Sequence, residues 1–440
     1  MKRIWTGLLA LVVVAGCGGP APSGGTSEPG KTGGAVNVMV FEGGYGKDFY
    51  EKAAAEFDKE HAGVKTTVTG DPHVDEQLKP LFIKGTPPDL TFPGWRFDHW
   101  AAVTEGQVLA LDDALATKAY KSETPWKDTF EPSLLKLGQS EGKTYVLPYF
   151  YSVLGWWYDP DLFKENGWTP PKTYEELLAL CAKIKAKGIA PLTYQGQYPD
   201  YVIAGMLEPW VISAGGIDQF TKMQNLEPGA WKDASVVKAA SMLKELKDMG
   251  YFENGAGALS HTQAQTDFLT RKAAMIPCGT WLYAEMLKSM PEGRKIDFML
   301  PPVITAGKGD PTAIMIKIEP WFVPAKAKNP QGAIDLFKYM TSLDKAKQFV
   351  TEKGTLMAVK GSDAVELPPY LKTAAADFKA SKAVWAAQWK DWYTAFYKDV
   401  ETLVTQLLNG DVTPEQFAEK AEAAAEKCRK DVDIAKHKVS

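Results

Sequence analysis

At 440 residues the chain exceeds the about 250 to 300 at which one hydrophobic core stops growing, so two domains are expected rather than one. Hydrophobic residues make up 45% of it, enough for substantial cores, and a net charge of −4 leaves no basic footprint of the kind that nucleic acid requires. No nucleic-acid partner is expected.

At the N-terminus Lys2 and Arg3 precede the apolar run Ile4 to Ala15, which ends in Val14-Ala15-Gly16-Cys17. A short apolar core followed by small residues reads as a secretory signal and not as a membrane span. The position of Cys17 after Ala-Gly resembles a bacterial lipobox. That resemblance implies a signal over residues 1–17, lipidation of Cys17, and a protein held outside the cytoplasm, on the outer face of the plasma membrane or in the periplasm. Residues 18–34, rich in Gly, Pro and Ser, form a flexible tether that cannot bury a core, and the folded body starts near Ala35. Of the remaining cysteines, Cys181 falls in a helical pattern, Cys278 in a strand-like run and Cys428 in a charged helix. Three cannot all pair and none has metal-ligand spacing, so they are read as structural.

Val36 to Phe41 is a β-rich run, followed by the turn Glu42 to Gly46, a helix with Phe49, Ala53 and Phe57 on one stripe, and a strand over Val64 to Thr69. That order predicts a βαβ unit on a parallel sheet, with ligands beyond the carboxyl ends of its strands. Pro87 to Phe92 reads as the next strand and delivers Trp95 and Arg96 on its turn; Trp100, in the helix that follows, reads as core. From Thr144 to Tyr158 the apolar run would extend about 50 Å at roughly 3.3 Å per residue, too long for one ordinary strand. It is read as two strands in two domains, joined by a hinge at a break around Pro148, with Tyr149 to Ser152 facing a cleft and Trp156 to Tyr158 in the second core.

Thr173 and Glu176 form a capping box that opens a helix. The loop after Ile189 to Tyr194 carries Gln197, Tyr198 and Asp200, and Trp210 follows in a helical segment. Ala273 to Cys278 is a buried strand that turns at Gly279-Thr280-Trp281 into a helix. Pro320 to Pro324 is predicted as a returning strand with Glu319 and Trp321 at its start. Near the C-terminus Trp385, Trp389, Trp392, Phe396 and Val400 recur as a packing stripe, and Thr413 to Gln416 is a second cap.

Gly138-Gln139-Ser140-Glu141-Gly142 matches the pattern of a hydrolase nucleophile elbow, but the elbow needs a strand before the serine and a helix after it, and here a strand follows. Ser140 is placed on a polar turn. The five histidines are scattered without metal-ligand spacing, so no metal, cofactor or enzymatic activity is expected. What the turns do collect is flat rings beside hydrogen-bonding groups: Trp95, Tyr149, Tyr151, Tyr198, Trp210 and Trp281 with Glu42, Arg96, Gln197, Asp200 and Glu319. A ligand with C–H faces and many hydroxyls, a sugar, suits such a site.

In order and spacing the PPDL strand, the GKTYVLP…WWYDPDLFKENGW…PPKTYEEL block, KAAMIPCGTWL, WFVPAKAKNP and NGDVTPEQ resemble the carbohydrate-binding extracellular solute-binding proteins of bacterial ABC importers, the maltose-binding family. The resemblance covers nearly everything after the tether. It implies an α/β, two-lobed periplasmic-binding-protein-like fold, each lobe a sheet flanked by helices and the two joined by crossing segments. The lobes would comprise residues 35–149 with 319–380, and 150–318 with 381–440. It also implies a monomer that delivers a carbohydrate to the transmembrane subunits of a permease. Trp281 matches the family's sugar-stacking tryptophan, Glu42 and Tyr45 its polar turn after the first strand, and Trp95 and Arg96 the next turn, where this sequence has an extra residue. Ser152 stands where the maltose binder has an acidic hinge residue, so Tyr151 or Ser152 is expected to meet ligand differently. PLTYQGQYPDY and CGTWLYAEM are similar to the subgroup that binds N-acetylglucosamine and chitobiose. A secreted glycoside hydrolase and a two-lobed peptide or amino-acid binder are the alternatives.

Overall fold

The computed structural model describes residues 33–94 and 96–439. Cys17, the signal and nearly all of the tether lie outside the described residues.

Strand β1 (Gly34–Phe41) lies between β2 (Val64–Asp71) and β3 (Leu90–Phe92), all three parallel, in the order β2-β1-β3. Helix Asp48–Glu60 crosses from β1 to β2 and buries the expected Phe49, Ala53 and Phe57. The predicted βαβ unit is therefore present, and the turn from Glu42 to Gly46 leaves the carboxyl end of β1. Next comes a small hairpin, β4 (Gln139–Ser140) and β5 (Lys143–Thr144), turning through Glu141 and Gly142 at φ 51° and 77°. Ser140 thus sits on a polar hairpin, as expected.

The apolar run is not two strands broken at Pro148. It is one 12-residue strand, β6 (Leu147–Tyr158), and the chain breaks earlier, between β5 and Leu147. A strand of this length is possible because its two halves belong to different neighbours. Leu147 to Val153 pairs antiparallel with β10 (Ile314–Trp321), and Leu154 to Tyr158 with β8 (Ala273–Gly279). The short strands β9 (Asp297–Met299) and β11 (Leu356–Met357) flank the second and first halves. Parallel additions of β7 (Ala190–Leu192) to β8 and β12 (Val384–Trp385) to β10 complete a seven-stranded sheet. Pro148 is tolerated inside the ladder because it opposes Pro320, at a register shift between Ile318 and Pro320. Proline has no N–H to donate, and such irregularities are where a sheet accepts it. The same proline explains a second correction: Glu319 lies near the end of its strand and not at its start, since the ladder runs over Ile314 to Ile318 and stops soon after Pro320.

Trp156 and Trp157 point to opposite faces of β6 and are both fully buried, their indoles donating to the carbonyls of Gly205 at 2.7 Å and Gly279 at 3.0 Å. The capping boxes at Thr173 and Thr413 are formed, and Ser260 with Gln263 makes a third. Cys181, Cys278 and Cys428 are buried free thiols. Helix Pro369–Ala380 lies against β9, with Tyr370 packed on Tyr283 and Trp157. Among the described residues no helix is long and apolar enough to cross a membrane.

Gly155 sits in mid-strand where a Cβ would overlap the Phe298 ring and the Met299 carbonyl. Replacing it with alanine overpacks β6 against β9 and is expected to cost about 1 to 3 kcal/mol, read as a lower urea midpoint with an unchanged slope.

Candidate functional site

A crevice opens where β10 runs beside the first half of β6. It is lined by the segment Met315 to Pro320 with Leu154, by Gly94, His99 and Trp100, and by Asp200, Trp281, Ala386 to Gln388, Lys390 and Asp391. The empty space, counted out to open solvent, is about 740 Å³.

Local structure explains who arrives there. Asp98 caps helix His99–Thr104 by accepting from the Ala101 amide at 2.8 Å, which sets His99 and Trp100 at the crevice edge. The parallel pairing of β12 with Ile314 and Met315 brings Ala386 to Asp391 alongside. Thr280 locks the turn after β8 onto the long strand: its amide donates to the Val153 carbonyl at 3.0 Å and its hydroxyl accepts from the Val153 amide at 3.2 Å. Gly279 then lets the Trp281 indole fold back over the strand, since any side chain there would overlap the ring.

The polar groups form linked clusters. Asp200 receives the Lys390 ammonium at 3.2 Å and the Tyr397 hydroxyl. Burial alone would raise its carboxyl, but Lys390, Tyr397 and Lys317 together hold it below the usual carboxylate value. Burial likewise works against the charge on Lys390, and the carboxylates of Asp200, Asp391 and Glu208 outweigh it and raise the ammonium. Lys317 stands 3.8 Å from Glu319 and 5.7 Å from the centre of the Trp281 ring. Burial raises the Glu319 carboxyl despite Lys317. Behind the wall, Glu208 accepts the Trp389 indole N–H at 2.7 Å, while its other oxygen is buried without a hydrogen-bond partner.

Of the residues expected from sequence, Asp200, Trp281 and Glu319 line the crevice. Tyr45 and Ser152 do not line the crevice: the Tyr45 hydroxyl is buried near Thr355 and Ser152 without a well-formed hydrogen bond, burial drives its ionisation far up, and Ser152 pairs with Lys317 in the ladder. Tyr151 is turned away. Adjacent residues of a strand face opposite sides, so Tyr151 and Ser152 cannot share the crevice. Tyr151 packs on Phe378 at 4.9 Å and lines a second cavity with Met357, Ser362 and Asp363. Tyr149, on that same face, is fully buried beside Tyr50 and Trp321. Trp210 is core, its indole donating to Pro302 at 2.9 Å and its ring packed on Trp156 and Tyr174. Glu42 lies beside Gly70 and Lys47, outside the crevice walls. Arg96 is exposed and its guanidinium meets His73 at 3.0 Å, and Tyr198 is 63% exposed on its loop. Trp95 lies outside the described residues.

Lys317, Gln388, Lys390 and Asp391 were not anticipated. A signal existed for each charge. In Ile314-Met315-Ile316-Lys317-Ile318-Glu319 the charges recur at period two, which puts both on one face of a strand. In Trp389-Lys390-Asp391-Trp392 two charges are enclosed by tryptophans that both bury. Trp100, read as core, is 3% exposed and also edges the crevice. Among the described residues no group of three or more His, Cys, Asp or Glu side chains could hold a metal ion.

Burial pushes the Glu208 carboxyl from 4.5 up to about 8, with Trp389 and Lys390 opposing. A folded value above the unfolded one means that the stabilisation is complete below about 4.5 and is lost as pH rises through 8. Glu208→Gln removes this titration, so urea midpoints across pH 4.5 to 8.5 should fall less in the variant than in the unmodified protein.

Known proteins resemble this chain in sequence and in fold. The chain is 28% identical over 334 residues to the diacetylchitobiose-binding protein NgcE of Streptomyces coelicolor, covering 74% of this chain and 70% of that protein. To the multiple sugar-binding protein of Streptococcus mutans it is 26% identical over 361 residues, covering 78% and 81%. Among solved structures, a chitin oligosaccharide binding protein superposes with a TM-score of 0.75 at 23% identity, covering 90% of this chain and 98% of that one. The fold is thus the two-lobed α/β architecture of periplasmic sugar-binding proteins. The family model for bacterial extracellular solute-binding proteins matches residues 43–347, and the chain belongs to that family.

Proposed function

We propose that this protein is the substrate-binding component of an ABC sugar importer. It takes a mono- or oligosaccharide into the crevice and presents it to the transmembrane subunits of a permease. The observation that carries this reading is the Trp281 indole at the crevice, with Asp200, Lys317 and Glu319 among the groups around it. A flat ring gives the C–H face of a pyranose a stacking platform, and convergent polar groups orient its hydroxyls. The names of NgcE and of the chitin oligosaccharide binding protein favour diacetylchitobiose or a related chitin oligosaccharide as the sugar.

We take the two lobes to be residues 35–149 with 319–380 and residues 150–318 with 381–440; helix Pro369–Ala380 packs against β9. Sugar contacts from both lobes stabilise closure, so that affinity is a difference between open and closed states. The protein acts as a monomer outside the cytoplasm, tethered through a lipid on Cys17, and without enzymatic turnover.

Isothermal titration with N-acetylglucosamine, N,N′-diacetylchitobiose and maltose, set against dipeptides and amino acids, tests the class of ligand. Saccharide binding is expected, and Trp281→Ala should weaken it tenfold or more while leaving the thermal midpoint near that of the unmodified protein. Binding of peptides alone, or release of shorter sugars from chitooligosaccharides on incubation, would replace the reading with one of its rivals. For the anchor, Cys17→Ser expressed in a bacterial host should lose metabolic labelling by palmitate and leave the membrane fraction.

A further inference from the structure

Lys317 and Trp281 are brought together by strand register. Lys317 pairs with Ser152 on β6, and the next residue, Val153, is the one that Thr280 grips just before Trp281. The indole leans back over Gly279, and both Lys317 and Trp281 line the same crevice. The ammonium stands over the ring at 5.7 Å from its centre, and its carboxylate neighbour Glu319 is no closer than 3.8 Å. A sugar stacked on the indole needs van der Waals contact on both of its faces, about 3.5 to 4 Å each, which puts the next heavy atom at about 7 to 8 Å. Lys317 stands inside that layer.

We propose that Lys317 is a built-in cap on the Trp281 platform, a cation that occupies the stacking face in the sugar-free protein and has to be displaced by the ligand. This rests on the sugar-binding reading above and adds a specificity-determining residue to it. The attraction between an ammonium and the indole face competes directly with stacking of a neutral sugar. Loose contact with Glu319 lets the lysine swing aside when a ligand enters. A sugar that buries the whole indole face displaces the cap, and one that covers only its edge leaves the cap in place. Lys317 thereby raises the threshold for small or poorly fitting ligands.

The test is calorimetry with N,N′-diacetylchitobiose and N-acetylglucosamine on the full secreted chain, as the unmodified protein, Lys317→Met, Trp281→Ala and the double variant. Methionine keeps the length and most of the apolar stem, and Lys317→Gln stands in if Lys317→Met does not fold. Lys317→Met should tighten saccharide binding threefold to tenfold, and the gain should vanish in the Trp281→Ala background. Unchanged or weaker binding by Lys317→Met, or an equal gain without Trp281, would overturn the cap. If the unmodified protein binds no saccharide, it is the sugar reading that fails. The cap is then judged on its own by the Trp281 indole ¹⁵N–¹H resonance, identified by its loss in Trp281→Phe. Movement of that peak in Lys317→Met supports the cap and an unmoved peak rejects it.

Discussion

The structure depends on the double allegiance of one strand. Of the 12 residues of β6, the first 11 are buried, so both faces are covered and its backbone groups need partners along the whole length. No single neighbour supplies them. β10 serves the first half and β8 the second, and the point where partners change, Val153 to Leu154, lies at the crevice. A one-residue slip of β10 would turn Lys317 and Glu319 away from the crevice, because strand faces alternate. The opposed prolines Pro148 and Pro320 make this register hard to extend past the shift, since neither can donate to a continued ladder.

Electrostatics in the crevice follows from burial with partial pairing. Asp200 and Lys390 sustain each other's charge, and Tyr397 adds a donor to the carboxylate. Glu319 has Lys317 at 3.8 Å and the charge of Lys390, and Glu208 has an indole N–H on one oxygen, but burial outweighs these and raises both carboxyls. A buried charge with a close partner keeps its ionisation, and one without it moves toward the neutral acid. The crevice thus offers a firm carboxylate acceptor in Asp200 and a softer acid group in Glu319. This mixture suits a ligand whose hydroxyls donate and accept at once.

Much of the scaffold was legible in the sequence. The βαβ opening followed from the stripe Phe49, Ala53, Phe57 between two β-rich runs. The helix starts followed from Thr173 with Glu176 and from Thr413 with Gln416, each side chain accepting from the other residue's backbone amide within a single turn. Such signals are local, and local geometry decides them. The long strand was misread because length and an internal proline both argue against one strand, and both arguments assume a single sheet partner. Among site residues, Asp200, Trp281 and Glu319 were recognisable as polar or aromatic groups on turns and strand ends. Trp210 met the same description and is core, because a tryptophan next to a turn looks alike in sequence whether its indole reaches a buried carbonyl or the crevice.

By itself, the sequence determined most of the α/β elements, their caps and the aromatic supply from which a sugar site could be built, since each is set by spacing over a few residues. Tertiary structure alone decided which of those rings face the crevice, that Tyr151 turns to a second cavity, and that Lys317, Lys390 and Asp391 join Trp281 at the first. The reason is separation along the chain. Lys317 and Trp281 are placed by ladders that join Ser152 to Lys317 and Val153 to Thr280, and pairings between segments more than 100 residues apart leave no trace in any local pattern.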